Sequence, residues 1–122
     1  MYIQAQPQDP CTIQAYSDTS VIINNTTYSR NLLITATTLI TPWTITGIEQ
    51  ISLVELQPLI DDHISTFLIG HSHLGTMPQT SLITSLASQN IGFEWMSIAA
   101  ACRTFNILIS EKRTAALGII FT

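Results

Sequence analysis

The chain has 122 residues and a formal net charge of −4 at pH 7; 46% of its residues are hydrophobic and 10% are charged. This length suffices for one domain with its own core, and the apolar content excludes a disordered chain. Four basic residues are too few for the positive surface that nucleic acid or an anionic membrane requires. No apolar run approaches the ~20 residues of a membrane-spanning helix, so we expect neither a nucleic-acid partner nor stable membrane insertion.

The first ten residues are polar and contain two prolines. They predict a loosely ordered N-terminal arm at residues 1–10, followed by a single α/β domain at residues 11–122. The arm lacks the order of charged and apolar residues that marks a signal peptide, which favours a cytoplasmic protein. In that compartment Cys11 and Cys102 are expected to be free thiols.

The N-terminal half is rich in β-branched residues. Two such runs within residues 20–40 are separated by Asn24 and Asn25, which tolerate the positive φ of a tight turn and so predict a β-hairpin. The strand predicted at residues 32–40 ends before Pro42.

From residue 52 onward, helices and strands alternate. The predicted elements are a helix opened by a Ser52–Glu55 capping box, a strand at 65–70, a helix between Pro78 and Asn90, a strand at 91–96, a helix at 99–110 and a strand at 114–122. This order predicts an α/β protein with a mainly parallel sheet, in which the direction of the last strand is left open.

Three loops of this arrangement leave the carboxyl ends of predicted parallel strands. They begin at residues 41, 71 and 97, and ligands bind at this edge in open α/β sheets. We therefore take Trp43, His71, Ser72 and Ser97 as candidate binding residues.

Cys102 allows two interpretations. A thiolate could be favoured by the helix N-terminus and by Arg103, but a cysteine nucleophile also needs a positioned base, and the chain offers only three histidines. On a helical wheel Cys102 flanks the apolar stripe of Ala101, Phe105 and Leu108. We interpret it as a small core residue and keep it among the candidate binding residues.

The opposite stripe of the same helix contains Arg103, Asn106 and Ser110. This face is either merely solvated or used for recognition. In the second case Arg103 holds a carboxylate or phosphate and Asn106 adds a donor and an acceptor.

His71 and His73 are spaced as a pair of metal ligands would be, but two ligands do not complete a zinc site. We predict no metal and no cofactor. The chain also lacks the dinucleotide, phosphate-loop, nucleophile-elbow and zinc-protease motifs. No complete catalytic constellation emerges, so no catalytic residue is predicted and enzymatic activity is left open.

Residues 93–113, FEWMSIAAACRTFNILISEKR, resemble a stretch of a family of small bacterial and archaeal proteins of unknown function that includes the mitochondrial NADH dehydrogenase (complex I) assembly factor 3. The matching residues are Glu94, Met96, Ala100, Ala101, Cys102, Thr104, Phe105, Asn106, Leu108 and Glu111. The stretches FLIGHSHLGTMP, YSRNLLI and PWTI are similar to further family segments, and the similarity runs over residues 12–121. The family usually has Gly-Thr-Gly where this chain has Gly70-His71-Ser72, and often Asp-Thr where it has Ser97-Ile98.

The resemblance implies a three-layer α/β fold with a central mixed sheet and a β-hairpin unit, and it implies no catalytic activity. It also implies a non-enzymatic assembly or interaction factor, whose partner is a respiratory complex subunit or another assembly factor; a homo-oligomer is equally open. The alternative is a small-ligand-binding protein or enzyme that uses the strand-end crevice. A deep crevice with polar lining favours the alternative, and a flat apolar patch favours the interaction factor.

Overall fold

The computed structural model describes residues 11–73 and 75–121 in full and the backbone of residues 2–5. The strands are β1 (Tyr2–Ala5), β2 (Ile13–Tyr16), β3 (Val21–Ile23), β4 (Thr26–Tyr28), β5 (Leu32–Thr35), β6 (Thr38–Thr41), β7 (Thr66–His71), β8 (Gly92–Met96) and β9 (Ala115–Ile120). The helices are α1 (Leu53–Asp61), α2 (Thr80–Ser88) and α3 (Ile98–Ser110), and a 3-10 turn spans Ile48–Gln50.

Six strands form the central sheet, in the order β1-β6-β5-β9-β7-β8. Three neighbouring pairs are antiparallel: β1 with β6, β6 with β5, and β5 with β9. Strand β7 pairs parallel with both β9 and β8. The predicted mixed sheet is confirmed, but three of its five strand pairings are antiparallel, so the sheet is less parallel than the strand order predicted. Its parallel part is confined to β7, β8 and β9. The last strand, whose direction the sequence left open, is parallel to β7 and antiparallel to β5.

The segment predicted as one strand at residues 32–40 is instead the hairpin β5–β6. The Thr35 hydroxyl accepts hydrogen bonds from the backbone N–H groups of Thr37 (3.3 Å) and Thr38 (3.1 Å), so this side chain satisfies the turn. A run of β-branched residues gave no sign of that reversal. Because β5 runs opposite to β9, β6 runs with β7 and β8, and the loops after all three strands still leave the same edge of the sheet.

The N-terminal arm also differs from its prediction. Residues 2–5 form the edge strand β1, in which Tyr2 pairs with Thr41 and Ala5 with Thr38. Backbone pairing with β6 does not depend on side-chain polarity, so the polar composition of these residues did not indicate a strand. The remainder of the predicted arm, residue 1 and residues 6–10, lies outside the described residues.

The predicted β-hairpin around Asn24 and Asn25 is confirmed. Both residues have positive φ (49° and 70°) and connect β3 to β4. With β2, these strands form a separate three-stranded sheet.

The fold has three layers, as the family resemblance implied, because each face of the central sheet carries its own core. One face packs against α3 and the small sheet, through residues that include Ile13, Val21, Leu68, Cys102 and Phe105. The other face packs against α1, α2 and the loop after β6, through residues that include Trp43, Leu56, Phe67, Leu82 and Ile120.

Gly70 lets α3 approach the sheet closely. A Cβ at this position would lie 2.9 Å from the Cβ of Ala101 and 3.1 Å from the Cα of Ile98. The glycine that ends the predicted strand therefore has a packing role in the α3 layer.

All three α-helices end in the same hydrogen-bond pattern. The residue after each C-cap has positive φ: His63 (62°) after α1, Asn90 (59°) after α2 and Lys112 (60°) after α3. The next backbone N–H reaches back to the helix, from Ile64 to Leu59, from Ile91 to Leu86 and from Arg113 to Leu108. These are Schellman motifs, in which glycine usually holds the left-handed position.

Candidate functional site

A cavity of about 370 Å³ opens at the edge where β7 and β9 end. Its lining comes from the ends of these two strands, from the segment around the 3-10 turn and from the loop after β7. The lining residues are Thr46, Gly47, Ile48, Glu49, His71, His73, Thr76 and Ile120. A cavity therefore lies at the edge of the sheet where the strand order predicted a ligand site.

His71 is the buried polar residue of this cavity. It is the last residue of β7, and only 5% of its surface is exposed. Its side chain has no hydrogen-bond partner among the described residues, yet every fully buried side-chain nitrogen or oxygen there has one. The ring nitrogens of His71 therefore keep some accessible surface, and His71 is one of the residues that line the cavity.

The electrostatics of the cavity favour a neutral His71. Burial lowers the pKa of the His71 imidazole below its ordinary value, and the charge that His73 can carry lowers it further. The Glu49 carboxylate acts in the opposite direction but does not reverse the shift. At neutral pH the ring thus offers one N–H donor and one nitrogen acceptor.

Side-chain hydrogen bonds hold the rim of the cavity. The Gln50 side-chain oxygen accepts from both the backbone N–H and the hydroxyl of Thr46, each at 3.0 Å. The Gln79 amide donates to the Glu49 carbonyl at 2.8 Å, which ties the segment before α2 to the 3-10 turn. The Glu49 carboxylate folds over Gly47, where a Cβ would collide with it.

Of the four residues predicted for this edge, only His71 lines the cavity. Ser72 is exposed beside it. Ser97 is the N-cap of α3, and its hydroxyl accepts from the backbone N–H of Ala100 at 3.2 Å. Trp43 is buried against Gly118 and belongs to the core of the α1–α2 layer. The last two residues therefore have structural roles here.

Asn31 explains why the loop with Trp43 lies where it does. Its side chain donates to the carbonyl of Ile45 and accepts from the backbone N–H of Phe121, both at 2.8 Å. Its own carbonyl accepts from the backbone N–H of Trp43 at 2.7 Å. This residue links the start of β5, the loop after β6 and the end of β9.

Cys102 has no exposed surface and packs in the core beside Phe105. Burial raises the pKa of its thiol to about 12, and the nearby Arg103 guanidinium opposes this shift only in part. The protonated thiol is unreactive at neutral pH. The structure therefore favours the core interpretation over the nucleophile, and Cys102 does not face the cavity.

Asn106 and Arg103 lie on the α3 layer, away from the cavity. The Asn106 side-chain oxygen accepts from the backbone N–H of Ile13 at 2.9 Å, and its NH₂ donates to the Ile13 carbonyl at 2.8 Å. This amide holds strand β2 and is not available to a ligand in the predicted way. Arg103 is exposed, and its Nη1 donates to the Tyr16 hydroxyl at 3.4 Å.

Sequence reasoning missed Glu49, Thr46, Thr76 and Ile120 as lining residues. The segment at 46–49 reaches the ends of β7 and β9 only through the 3-10 turn and its hydrogen bonds to Gln50 and Gln79. Gly47, the N-cap of the 3-10 turn, is its one local signal in the sequence. In the described part of the chain, no group of three or more histidine, cysteine or carboxylate side chains is placed to hold a metal ion.

The arrangement has the same fold as small α/β proteins that include a Mth938-like domain. Over 97% of this chain and 89% of that one, it matches a Xanthomonas campestris protein solved by NMR, with a TM-score of 0.80 and 23% identity. Over 90% and 85%, it matches a Bordetella pertussis protein described as a Mth938-like domain, with a TM-score of 0.68 and 19% identity. At these identities the likeness concerns the fold.

The sequence places the chain more narrowly. Residues 13–120 match a family model described as "Protein of unknown function (DUF498/DUF598)", so the chain belongs to this family. A curated relative from Francisella tularensis, named "13 kDa major membrane protein", is 25% identical over 114 residues, which cover 93% of each chain. Within the described residues of the present chain, no helix has the length and apolar character to cross a bilayer.

Proposed function

We propose that this protein binds a small ligand in the strand-end cavity. The observation that carries this proposal is His71, a largely buried histidine that lines the cavity and has no hydrogen-bond partner for its ring among the described residues. Because the ring nitrogens keep accessible surface and have no protein partner, a ligand in the cavity can hydrogen-bond to them.

The lining suggests the chemistry of the ligand. Glu49 is the one carboxylate among the described lining residues, and neither lysine nor arginine occurs among them. A neutral His71 adds an acceptor, and Thr46 and Thr76 add hydroxyls. This set disfavours a phosphate or carboxylate and favours a compact ligand that donates hydrogen bonds, such as a primary amine.

A pair of probes with matched bodies and opposite charges tests this proposal. We expect n-butylammonium to shift the backbone NMR signals of His71, Glu49 and their neighbours at pH 7.5, while butyrate leaves them unchanged. The variant His71→Gln should weaken the amine response at least threefold because the buried acceptor is repositioned. Lowering the pH until His71 is protonated should weaken it as well, since an imidazolium repels a cation.

His63→Asn is the matched control. His63 is exposed, lies outside the cavity and has positive φ, which asparagine tolerates. This variant should bind the amine as the original chain does. Stronger binding of butyrate than of butylammonium, or equal responses from His71→Gln and the original chain, would refute the proposed site.

The second candidate function is that of a non-enzymatic assembly or interaction factor, as the resemblance to the complex I assembly factor family suggests. One observation favours it: exposed Ile107 lies one turn after Arg103 on α3, and Arg103 contacts exposed Tyr16. Tyrosine and arginine are enriched at binding hot spots. We propose that this face contacts an acidic, partly apolar segment of a respiratory complex subunit or another assembly factor in the cytoplasm, where the two buried free thiols persist.

Capture of native partners with a tagged chain tests the second candidate. The pair Arg103→Ala and Ile107→Ser should lose a captured respiratory or assembly protein while the melting temperature changes by only a few degrees. The control is Val54→Ser, because Val54 is 81% exposed on α1, in another layer. If the α3 double variant and Val54→Ser both lose the captured partner equally, or if neither loses it, an α3 interface is contradicted.

A further inference from the structure

A second and larger cavity, of about 560 Å³, lies at the opposite edge of the central sheet. It opens between the β5–β6 turn, the end of α1 and the connection from α3 to β9. The lining residues are Thr35, Ala36, Thr37, Leu59, Asp62, Ile64, Ile109, Lys112, Arg113, Thr114 and Ala115. Its volume falls in the range of about 300–1,000 Å³ that is typical of small-molecule sites.

Five of the described lining residues of this cavity are aliphatic. Leu59, Ile64 and Ile109 are buried residues from α1, its C-terminal motif and α3, and each exposes at most 8% of its surface. Ala36 and Ala115 extend the apolar wall toward the sheet. Such a surface suits the hydrocarbon part of a ligand.

The rim carries an unusual share of the positive charge of the protein. Lys112 and Arg113 are two of only four basic residues, in a chain with a net charge of −4. Asp62 is the one carboxylate among the described lining residues, so the charged side chains of the rim sum to +1. The amphiphilic combination of a cationic rim and aliphatic walls is complementary to an anion with an apolar body.

Backbone hydrogen bonds around the rim fix the main-chain positions of Lys112 and Arg113. Lys112 and Arg113 occupy the Schellman motif of α3, with backbone hydrogen bonds to Ile109 (2.9 Å) and Leu108 (3.0 Å). Next to them, the Thr114 hydroxyl donates to the His63 carbonyl at 3.1 Å and joins the rim to the end of α1. Both cations therefore extend from a defined backbone beside the cavity.

We propose that this opposite-edge cavity binds an amphipathic monocarboxylate. The aliphatic chain of the ligand lies against Leu59, Ile64 and Ile109, and its carboxylate is bound by Lys112 and Arg113. The inference is independent of the strand-end cavity, because the two cavities share no described lining residue.

Titration of the full chain with octanoate, followed by backbone NMR, tests this site. Octanoate should shift the signals of residues 35–37, 59–64 and 109–115. Octylammonium, which has the same length and the opposite charge, should bind at least tenfold more weakly. The double variant Lys112→Asn and Arg113→Gln should lose most of the octanoate response; asparagine is chosen because position 112 has positive φ.

Arg30→Gln is the control, since Arg30 is an exposed basic residue outside the cavity. It should bind octanoate like the original chain. Lys112 and Arg113 could instead serve only to offset the negative end of the α3 dipole. In that case the double variant loses stability while octanoate and octylammonium bind alike or not at all, and this result would overturn the proposal. A response of equal size in Arg30→Gln and in the double variant would overturn it too.

Discussion

Replacement of Asn106 by alanine is the sharpest test of how the two sheets are joined. Strand β2 lies at the edge of the small sheet and, among the described strands, pairs with β3 alone. The Asn106 amide satisfies both backbone groups of Ile13 from the α3 side, at 2.9 and 2.8 Å. Asn106→Ala removes both hydrogen bonds at once and leaves a half-buried N–H and carbonyl behind.

The expected cost follows from these two contacts. A typical hydrogen bond contributes about 1 kcal/mol net, and an unsatisfied buried group costs about 1–3 kcal/mol. For a half-buried pair we expect Asn106→Ala to lower the free energy of unfolding by about 2–3 kcal/mol. In a domain of this size that corresponds to a fall in melting temperature of roughly 6–15 °C.

Calorimetry measures the total effect, and amide hydrogen exchange locates it. The amides of β2, β3 and β4 should lose protection, while those of β7 and β9 in the central sheet should change less. Arg103→Ala is the matched control on the same helix, because Arg103 is exposed and makes one 3.4 Å contact; its melting temperature should stay within about 2 °C. A shift below 2 °C for Asn106→Ala would show that water replaces the amide and would refute the reasoning.

Four further predictions concern other positions. Burial raises the pKa of the Cys102 thiol to about 12, so the stability that this protonated thiol contributes should be complete below the unfolded thiol pKa of about 8.5 and should decline as the pH rises toward 12. In urea unfolding between pH 8 and 10, Cys102→Ala should therefore lose less stability with rising pH than the original chain. The pKa of His71 is lower in the folded chain than in the unfolded chain, so on acidification the unfolded chain binds this proton at higher pH than the folded chain does. The free energy of unfolding should therefore fall as the pH drops below about 6.5. His71→Gln should remove this loss of stability. Gly118→Ala would place a Cβ 2.6 Å from a ring carbon of Trp43, and we expect about 1–3 kcal/mol of destabilisation in thermal unfolding, partly relieved by Trp43→Phe in the same chain. His63→Gly should raise the melting temperature, since glycine removes about 1 kcal/mol of left-handed strain; an unchanged midpoint would show that the position carries little strain.

Local patterns predicted the elements whose causes are local. The apolar stripe of α3, the capping box before α1 and the asparagine turn between β3 and β4 each depend on residues a few positions apart, and each is present. The hairpin β5–β6 was missed although it is local. Thr35 serves both as a strand residue and as the acceptor that closes the turn, and its β-branched neighbours indicate a strand in either case.

The candidate site was predicted less well than the fold, because its contacts join distant parts of the chain. The edge of the sheet followed from the strand order, and His71 lies there. Glu49 reaches the same cavity because it lies in a 3-10 turn, and no hydrophobic periodicity in the sequence predicts this turn. Asn106 looked like part of a solvated stripe because its partner, Ile13, is 93 positions away in the sequence.

The central position of β9 has a consequence for biosynthesis. This strand joins the antiparallel strands β1, β6 and β5 to the parallel strands β7 and β8, yet it is made after all of them. A ribosome adds about 5–20 residues per second, so for several seconds the emerging chain has two half-sheets whose inner edges, β5 and β7, lack their common neighbour. During that interval both edges can pair with other nascent chains. Translation speed and early chaperone contact should therefore affect the yield of this protein more than that of a fold whose central strand is made first.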